Sequence, residues 1–187
     1  MKTIVFPSAA YRAAFINMAL DYRQSDDRRY FKEITKYGFD FDDYVIRLNR
    51  NALGIGLEEG LTPYTTYWLM DDNKDIIYGV SRLRHKLNAI SQKEGGHIGY
   101  DVPPSLRNNG YATELLRQTI IKARSMGITR LLMTCDSDNI RSARVIEKNG
   151  GIIENQVISD ITRKLVSRYW IDADKANERS IYGQGNV

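Results

Sequence analysis

The sequence has a single cysteine, Cys135, only four prolines and no long apolar run. One cysteine excludes an internal disulfide, so a packed core must stabilise the fold. No run approaches the roughly 20 apolar residues of a membrane helix, and the N-terminus lacks the pattern of a secretory signal. We therefore expect a cytoplasmic protein without membrane contact. Its 187 residues predict one domain over residues 1–172 and a polar C-terminal tail over 173–187.

Charge of one sign is also scarce, since the formal net charge is only +4 and the excess is spread along the chain. A mild basic excess suits a small anionic ligand about as well as it suits nucleic acid. The sequence has no basic cluster and no aromatic residues interleaved with arginines, which argues against nucleic-acid binding. We expect no metal site.

The stretch DVPPSLRNNGYATELL, residues 101–116, joins an extended segment to a helix through an open loop. Asn-Asn-Gly often marks a hairpin, but the apolar residues that follow have helical spacing. The glycine therefore precedes a helix N-terminus, where unpaired N–H groups and a partial positive charge favour an anion. The pattern fits a pyrophosphate site, and an ordinary strand-to-helix loop with a glycine bend is the alternative.

The remaining periodicities predict an α+β fold. Their order is a strand, two helices, three strands, a helix, a strand, a helix and two final strands that form a hairpin. The helix between the strands at 97–102 and 130–135 predicts a right-handed crossover and parallel pairing of those strands. Arg82 and Arg84 share one strand face, which we expect to be solvated, and a wall that faces an anion is the alternative.

Two segments together resemble the GNAT superfamily of N-acetyltransferases. The family's acetyl-coenzyme A signature, Arg/Gln-x-x-Gly-x-Gly/Ala after a strand, is similar to RNNGYA at 107–112. Its second motif, Asn-x-x-Ala/Ser ending in Glu-Lys-x-Gly, is similar to 139–150. Residues 67–114 also look like a bacterial group of predicted acetyltransferases. The resemblance implies a mixed, mostly antiparallel sheet flanked by helices, with a splayed parallel strand pair.

The resemblance also implies acetyl-coenzyme A as co-substrate. Pantetheine would lie along Tyr100, Asp101 and Val102, with the Val102 N–H donating to the thioester carbonyl. Asn139 would contact the pantetheine arm or simply cap its helix, and Ser142 or Arg144 would reach the nucleotide end. The pyrophosphate would take N–H groups from Arg107, Asn108, Asn109, Gly110, Tyr111 and Ala112, with Thr113 beside them.

The reaction implied is acetyl transfer to a primary amine, and here the sequence departs from the family. The second motif often carries a tyrosine that protonates the departing thiolate, and Ile146 occupies that position. Tyr169 and Cys135 are other candidates for the acid, although neither lies on a supporting motif. We predict His97 as the base, with Asp101 on its strand face as either an orienting partner or a residue on the cofactor side. A structural strand histidine is the alternative.

Two functions remain open at this stage. One is an amine acetyltransferase, and the other is a silent coenzyme A-binding sensor or interaction module. In this superfamily the first two helices and the loop after them shape the acceptor site, so Glu58 and Glu59 are candidates to attract a cationic amine. We expect a monomer or a homodimer.

Overall fold

The computed structural model describes residues 1–27, 30 and 40–175. Its strands and helices follow the predicted order, with one additional short helix before the fourth strand. The strands are β1 (Lys2–Val5), β2 (Tyr64–Asp71), β3 (Ile77–Arg84), β4 (Ile98–Asp101), β5 (Arg130–Asp136), β6 (Ile152–Ile158) and β7 (Leu165–Asp172). The helices are α1 (Arg12–Gln24), α2 (Phe41–Ala52), α3 (Ala89–Lys93), α4 (Tyr111–Ser125) and α5 (Ile140–Lys148).

The strands form two separate sheets. The first has the order β1-β2-β3-β4, and every neighbouring pair in it is antiparallel. The second has the order β5-β7-β6 and is also antiparallel. The hairpins predicted around residues 72–76 and at the C-terminal end of the domain are both confirmed.

The helices form two hydrophobic cores against the strands. The aromatic rings of Phe15 in α1 and Trp68 in β2 stack in the first core, with ring centroids 5.6 Å apart. The second core packs Leu116 of α4 and Ile146 of α5 against Met133 of β5. This second core also includes Tyr67 of β2, Leu83 of β3 and Ile98 of β4. The helices α4 and α5 therefore pack across both sheets, and only the facing edges of β4 and β5 remain apart.

The predicted parallel pairing of β4 with β5 is wrong as a continuous ladder. The backbone link that the structure describes lies just before β4, where the His97 N–H donates to the Leu132 carbonyl at 2.7 Å. Gly96 makes this approach possible, because a Cβ there would lie 2.4 Å from the Leu132 carbonyl oxygen. Pro103 follows β4 and has no N–H, so it limits pairing at the other end.

The mixed α+β architecture is confirmed. The predicted tail at 173–187 lies almost entirely outside the described residues, which end with the helical residues 173–175. Among the described residues, no helix combines the length and apolar character needed to cross a membrane.

Candidate active site

The gap between β4 and β5 is where the predicted residues come together. Arg84 donates its N–H to the His97 carbonyl, which sets the phase of the antiparallel β3–β4 ladder. In that phase, the N–H and C=O groups of Gly99 and Asp101 face β3, because hydrogen-bonded pairs alternate along an antiparallel pair. The backbone groups of Tyr100 and Val102 therefore face the gap, where an extended ligand can bond to them.

This phase corrects the prediction for Asp101, whose backbone pairs with β3. Its carboxylate is also occupied. Tyr22 of α1 donates a short hydrogen bond to it, and the Tyr30 hydroxyl lies 2.8 and 2.9 Å from its two oxygens. The Arg82 guanidinium lies 3.6 Å away. Asp101 therefore joins α1 to β4, and no contact to His97 is described.

Arg82 and Arg84 do not lie on a simple solvated face, so that prediction is wrong. Arg82 contacts Asp101 and the Tyr30 hydroxyl, and Arg84 donates to the carbonyls of Gly95 and Gly96 at 3.1 and 3.0 Å. Burial and the Asp101 carboxylate raise the pKa of Tyr30, so its hydroxyl remains a donor. Both arginines stabilise the ends of β4.

The loop before α4 has the conformation that its sequence predicts. Asn108 and Gly110 have φ values of +66° and +79°. Gly110 is the N-cap residue and supplies no side-chain cap, so the first N–H groups of α4 have no capping side chain. Asn109 closes the loop by donating from its side chain to the carbonyls of Leu106 and Arg107. The loop therefore has the geometry in which backbone N–H groups at a helix N-terminus can bind an anion.

The residues present fit acetyl-coenzyme A. A Cβ built on Gly110 would meet nothing within 4 Å, so a phosphate can approach the backbone there. The Arg107 Nε donates to the Val102 carbonyl at 3.2 Å, which places a positive charge where β4 ends. Tyr111 packs its ring against Tyr78, so its backbone N–H is the group left for a ligand. Ala112 and Thr113 are half-buried in the same turn.

The N-terminus of α5 forms the opposite wall of the gap. Asn139 caps this helix by accepting the Ser142 N–H at 3.1 Å, so the helix-cap alternative for Asn139 is confirmed. The Ser142 hydroxyl lies 2.9 Å from the Tyr100 hydroxyl, which crosses from β4. Burial raises the pKa of Tyr100 to about 12. Arg144 is exposed on the next turn.

Ile146 is fully buried in the second core and brings no polar group to the gap. Cys135 is half-buried, and burial raises the pKa of its thiol. Tyr169 is buried in the same core as Ile146. The acid candidate that sequence reasoning missed is the Tyr100 side chain, because only the fold brings residues 100 and 142 together.

His97 occupies the closed end of the gap. Its Nδ1 accepts the Leu132 N–H at 2.9 Å, so in the neutral ring the proton resides on Nε2. Burial, aided by the charge of Arg84, lowers the pKa of His97. The imidazole therefore acts as a bridge between β4 and β5, which weighs against a base that must take up a proton.

Comparison with known proteins identifies the family. The model of the acetyltransferase (GNAT) domain matches residues 19–152. The chain belongs to this acetyltransferase family. Acetyl-coenzyme A is the acyl donor that the family uses, which confirms the predicted co-substrate.

Solved structures support the fold of this GNAT domain. RimJ from Mycobacterium smegmatis, in complex with CoA-disulfide, has a TM-score of 0.69 at 16% identity, over 98% of this chain and 90% of its own. The yncA protein from Salmonella typhimurium, solved with its cofactor acetyl-CoA, has a TM-score of 0.60 at 16% identity. The match covers 93% of this chain and 95% of yncA. Spermidine N-acetyltransferase from Vibrio cholerae, in complex with CoA and spermine, has a TM-score of 0.63 at 13% identity. The match covers 94% of this chain and 98% of that enzyme. No curated protein matches the sequence.

The role of Gly110 can be separated from its backbone strain by a matched control. Gly127, just beyond the other end of α4, also has φ +79° and open space around a built Cβ. Gly110→Ala and Gly127→Ala should each lose about 1–2 kcal/mol of unfolding free energy. Only Gly110→Ala should weaken acetyl-coenzyme A binding, by about tenfold or more in calorimetric titration. Equal affinities in the two variants would contradict the anion site.

The bridge made by His97 predicts a pH dependence of stability. The unfolded ring binds a proton near pH 6.5, whereas the folded ring binds it only at lower pH. The contribution of His97 to the free energy of unfolding is therefore complete above about pH 6.5. It is lost as the pH falls through the lowered pKa of the folded protein. His97→Asn keeps an acceptor for Leu132 but cannot titrate, so its melting temperature should fall less between pH 7 and 5. The other histidine, His85, is common to both proteins. Parallel curves would show that His97 does not bridge the strands.

Proposed function

We propose that this GNAT domain transfers an acetyl group from acetyl-coenzyme A to a primary amine. The observation that carries the proposal is the phase of β4, which turns the amides of Tyr100 and Val102 into the gap. Those amides lie between the loop at Gly110 and the N-terminus of α5. A pantetheine arm can bond along β4 while the pyrophosphate binds to the uncapped amides of α4.

The chemistry requires a polarised carbonyl, a neutral amine and a proton for the leaving group. The amine lone pair attacks the thioester carbon, a C–N bond forms and the C–S bond breaks. The nitrogen loses one proton, and the thiolate gains one to leave as free coenzyme A. We assign stabilisation of the developing oxyanion to the Val102 N–H, because a fixed backbone donor needs no reorganisation. Holding both reactants together contributes several kcal/mol more.

We assign the proton for the thiolate to Tyr100. Side chains on a helix lean toward its N-terminus, so a tyrosine at position 146 would direct its hydroxyl toward the turn that contains Ser142. The Tyr100 hydroxyl lies beside Ser142 from the opposite wall, 2.9 Å from its hydroxyl. The Tyr100 phenol would therefore take the part of the tyrosine that Ile146 replaces. Ser142 can then return a proton to Tyr100. The raised pKa keeps this phenol protonated at neutral pH.

His97 as the base stays a prediction. Its Nδ1 lone pair is used by Leu132, and Nε2 carries the proton. An acceptor that arrives as the neutral amine needs no base before the attack, and water can take the later proton. Glu58 and Glu59 are both exposed in the loop after α2, where they remain candidates to attract a cationic acceptor. Residues 28–29 and 31–39, between the first two helices, lie outside the described residues.

Ile146 is buried and cannot donate a proton, which favours the second function, a silent coenzyme A-binding module. Release of free thiol from acetyl-coenzyme A separates the two functions. We expect release above the background hydrolysis rate with at least one amine from a panel of polyamines, aminoglycosides, amino acids and peptide N-termini. Binding of acetyl-coenzyme A without thiol release for any amine would favour the silent module.

The assignment of Tyr100 predicts a specific loss of turnover. Tyr100→Phe should lower kcat by about 100-fold, the scale of a positioned acid, while the affinity for acetyl-coenzyme A changes little. Tyr169→Phe is the matched control, since it removes a hydroxyl from another buried tyrosine near Cys135. Its kcat should remain close to that of the unaltered protein. A Tyr100→Phe protein with normal kcat, or equal losses in both variants, would refute the assignment.

A further inference from the structure

A second pocket lies on the face of the β5-β7-β6 sheet that points away from α4 and α5. Leu131 and Met133 of β5 face those helices, whereas Arg130 and Leu132 face the pocket. Its volume is about 490 Å³. The lining residues are Leu87, Gln92, His97, Arg130, Leu132, Arg168 and Trp170. His97 and Leu132, which join the strands at the closed end of the gap, also line this pocket.

The polar groups of this pocket are mainly hydrogen-bond donors, and two of them are unsatisfied. The indole N–H of Trp170 and the Nε–H of Arg168 are both buried, and neither has a hydrogen-bond partner among the described residues. His97 carries its ring proton on Nε2, because Nδ1 accepts from Leu132. An unmatched buried donor costs about 1–3 kcal/mol, so an acceptor that reaches these groups would be favoured.

Arg130 adds an uncompensated positive charge to the pocket. Its guanidinium lies 4.7 Å from the ring centroid of Trp170, and no ion pair is described for it among residues 1–27, 30 and 40–175. Asp172 is its partner across the strands, but that carboxylate accepts the N–H groups of Asp174 and Lys175. This cation–π contact holds the guanidinium beside the indole, and its N–H groups remain available to a ligand.

Arg168 supplies rigidity more than charge. One terminal nitrogen lies 2.9 Å from the Glu154 carboxylate and 3.1 Å from the Asn155 side-chain oxygen, and the other donates to the Gln92 carbonyl. The guanidinium is therefore neutralised and held between β6 and α3. Its remaining Nε–H and the free charge of Arg130 define what the pocket can accept.

We propose that this pocket binds the oxyanion group, carboxylate or phosphate, of a small ligand. Planar oxyanions match the fork of an arginine, and the other donors suit the oxygens that a single arginine leaves unbonded. The lining residues include no carboxylate that would repel such a group. The site is separate from the amides of α4, so it does not depend on acetyl transfer.

The test uses the intrinsic fluorescence of the full chain, titrated with sodium phosphate and, separately, sodium succinate at constant ionic strength. Trp68 is buried in the first core, so a Trp170→Phe variant identifies which indole responds. We expect saturable binding with a Kd of about 1 mM or tighter for at least one of the two anions. The anion that binds more tightly tells a phosphate ligand from a carboxylate ligand.

Arg130→Gln should raise that Kd about tenfold or more, measured by calorimetry so that the indole environment is not the readout. Arg12→Gln removes the same charge from another exposed arginine, in α1, and should leave the Kd unchanged. Acetyl-coenzyme A affinity should be the same in both variants, which also shows that both are folded. No saturable binding of either anion, or equal losses in the two variants, would overturn the proposal.

Discussion

Two hydrogen bonds between His97 and Leu132 join the facing edges of the two sheets just before β4. One runs from the His97 amide to the Leu132 carbonyl and the other from the Leu132 amide to the imidazole. Two exposed strand edges would normally pair along their length or invite another strand. Here they are joined at one end only, because Gly96 permits a close approach there and Pro103 offers no donor beyond β4. Because the two edges pair only at this end, the backbone groups of Tyr100 and Val102 remain open to a ligand.

The wall of the gap must also be rigid if free amides are to act as preformed donors. Asp101 provides this rigidity at the open end. Its carboxylate accepts hydrogen bonds from the hydroxyls of Tyr22 and Tyr30, and the guanidinium of Arg82 in β3 lies beside it. A partly buried carboxylate is stable only with such donors. Its loss would leave β4 anchored chiefly by the ladder to β3. The Asp101 side chain therefore has no contact with the ligand, but it fixes the position of Tyr100 and Val102.

Features with local causes were predictable from the sequence. The glycine before α4, the hairpins and the Asn139 cap depend on residues within a few positions of one another, and the structure has them as expected. The functions of His97, Asp101 and Arg82 were not. Their partners lie far away in the chain, 35 residues for His97 and 79 and 71 for Asp101. Strand alternation places a side chain on a face, but it does not say which distant group covers that face. Tyr100 was predicted for its backbone alone, since nothing local links it to Ser142.

The incomplete pairing of β4 and β5 also has a consequence for the amount of folded protein in a cell. A pantetheine arm between these strands would supply the rungs that the two sheets do not form with each other, so the donor would be part of the architecture while it is bound. Ligand that binds only the native state shifts the folding equilibrium by mass action. The folded fraction of this protein would then rise with the supply of coenzyme A, acetylated or free, because both forms carry the pantetheine arm and the pyrophosphate.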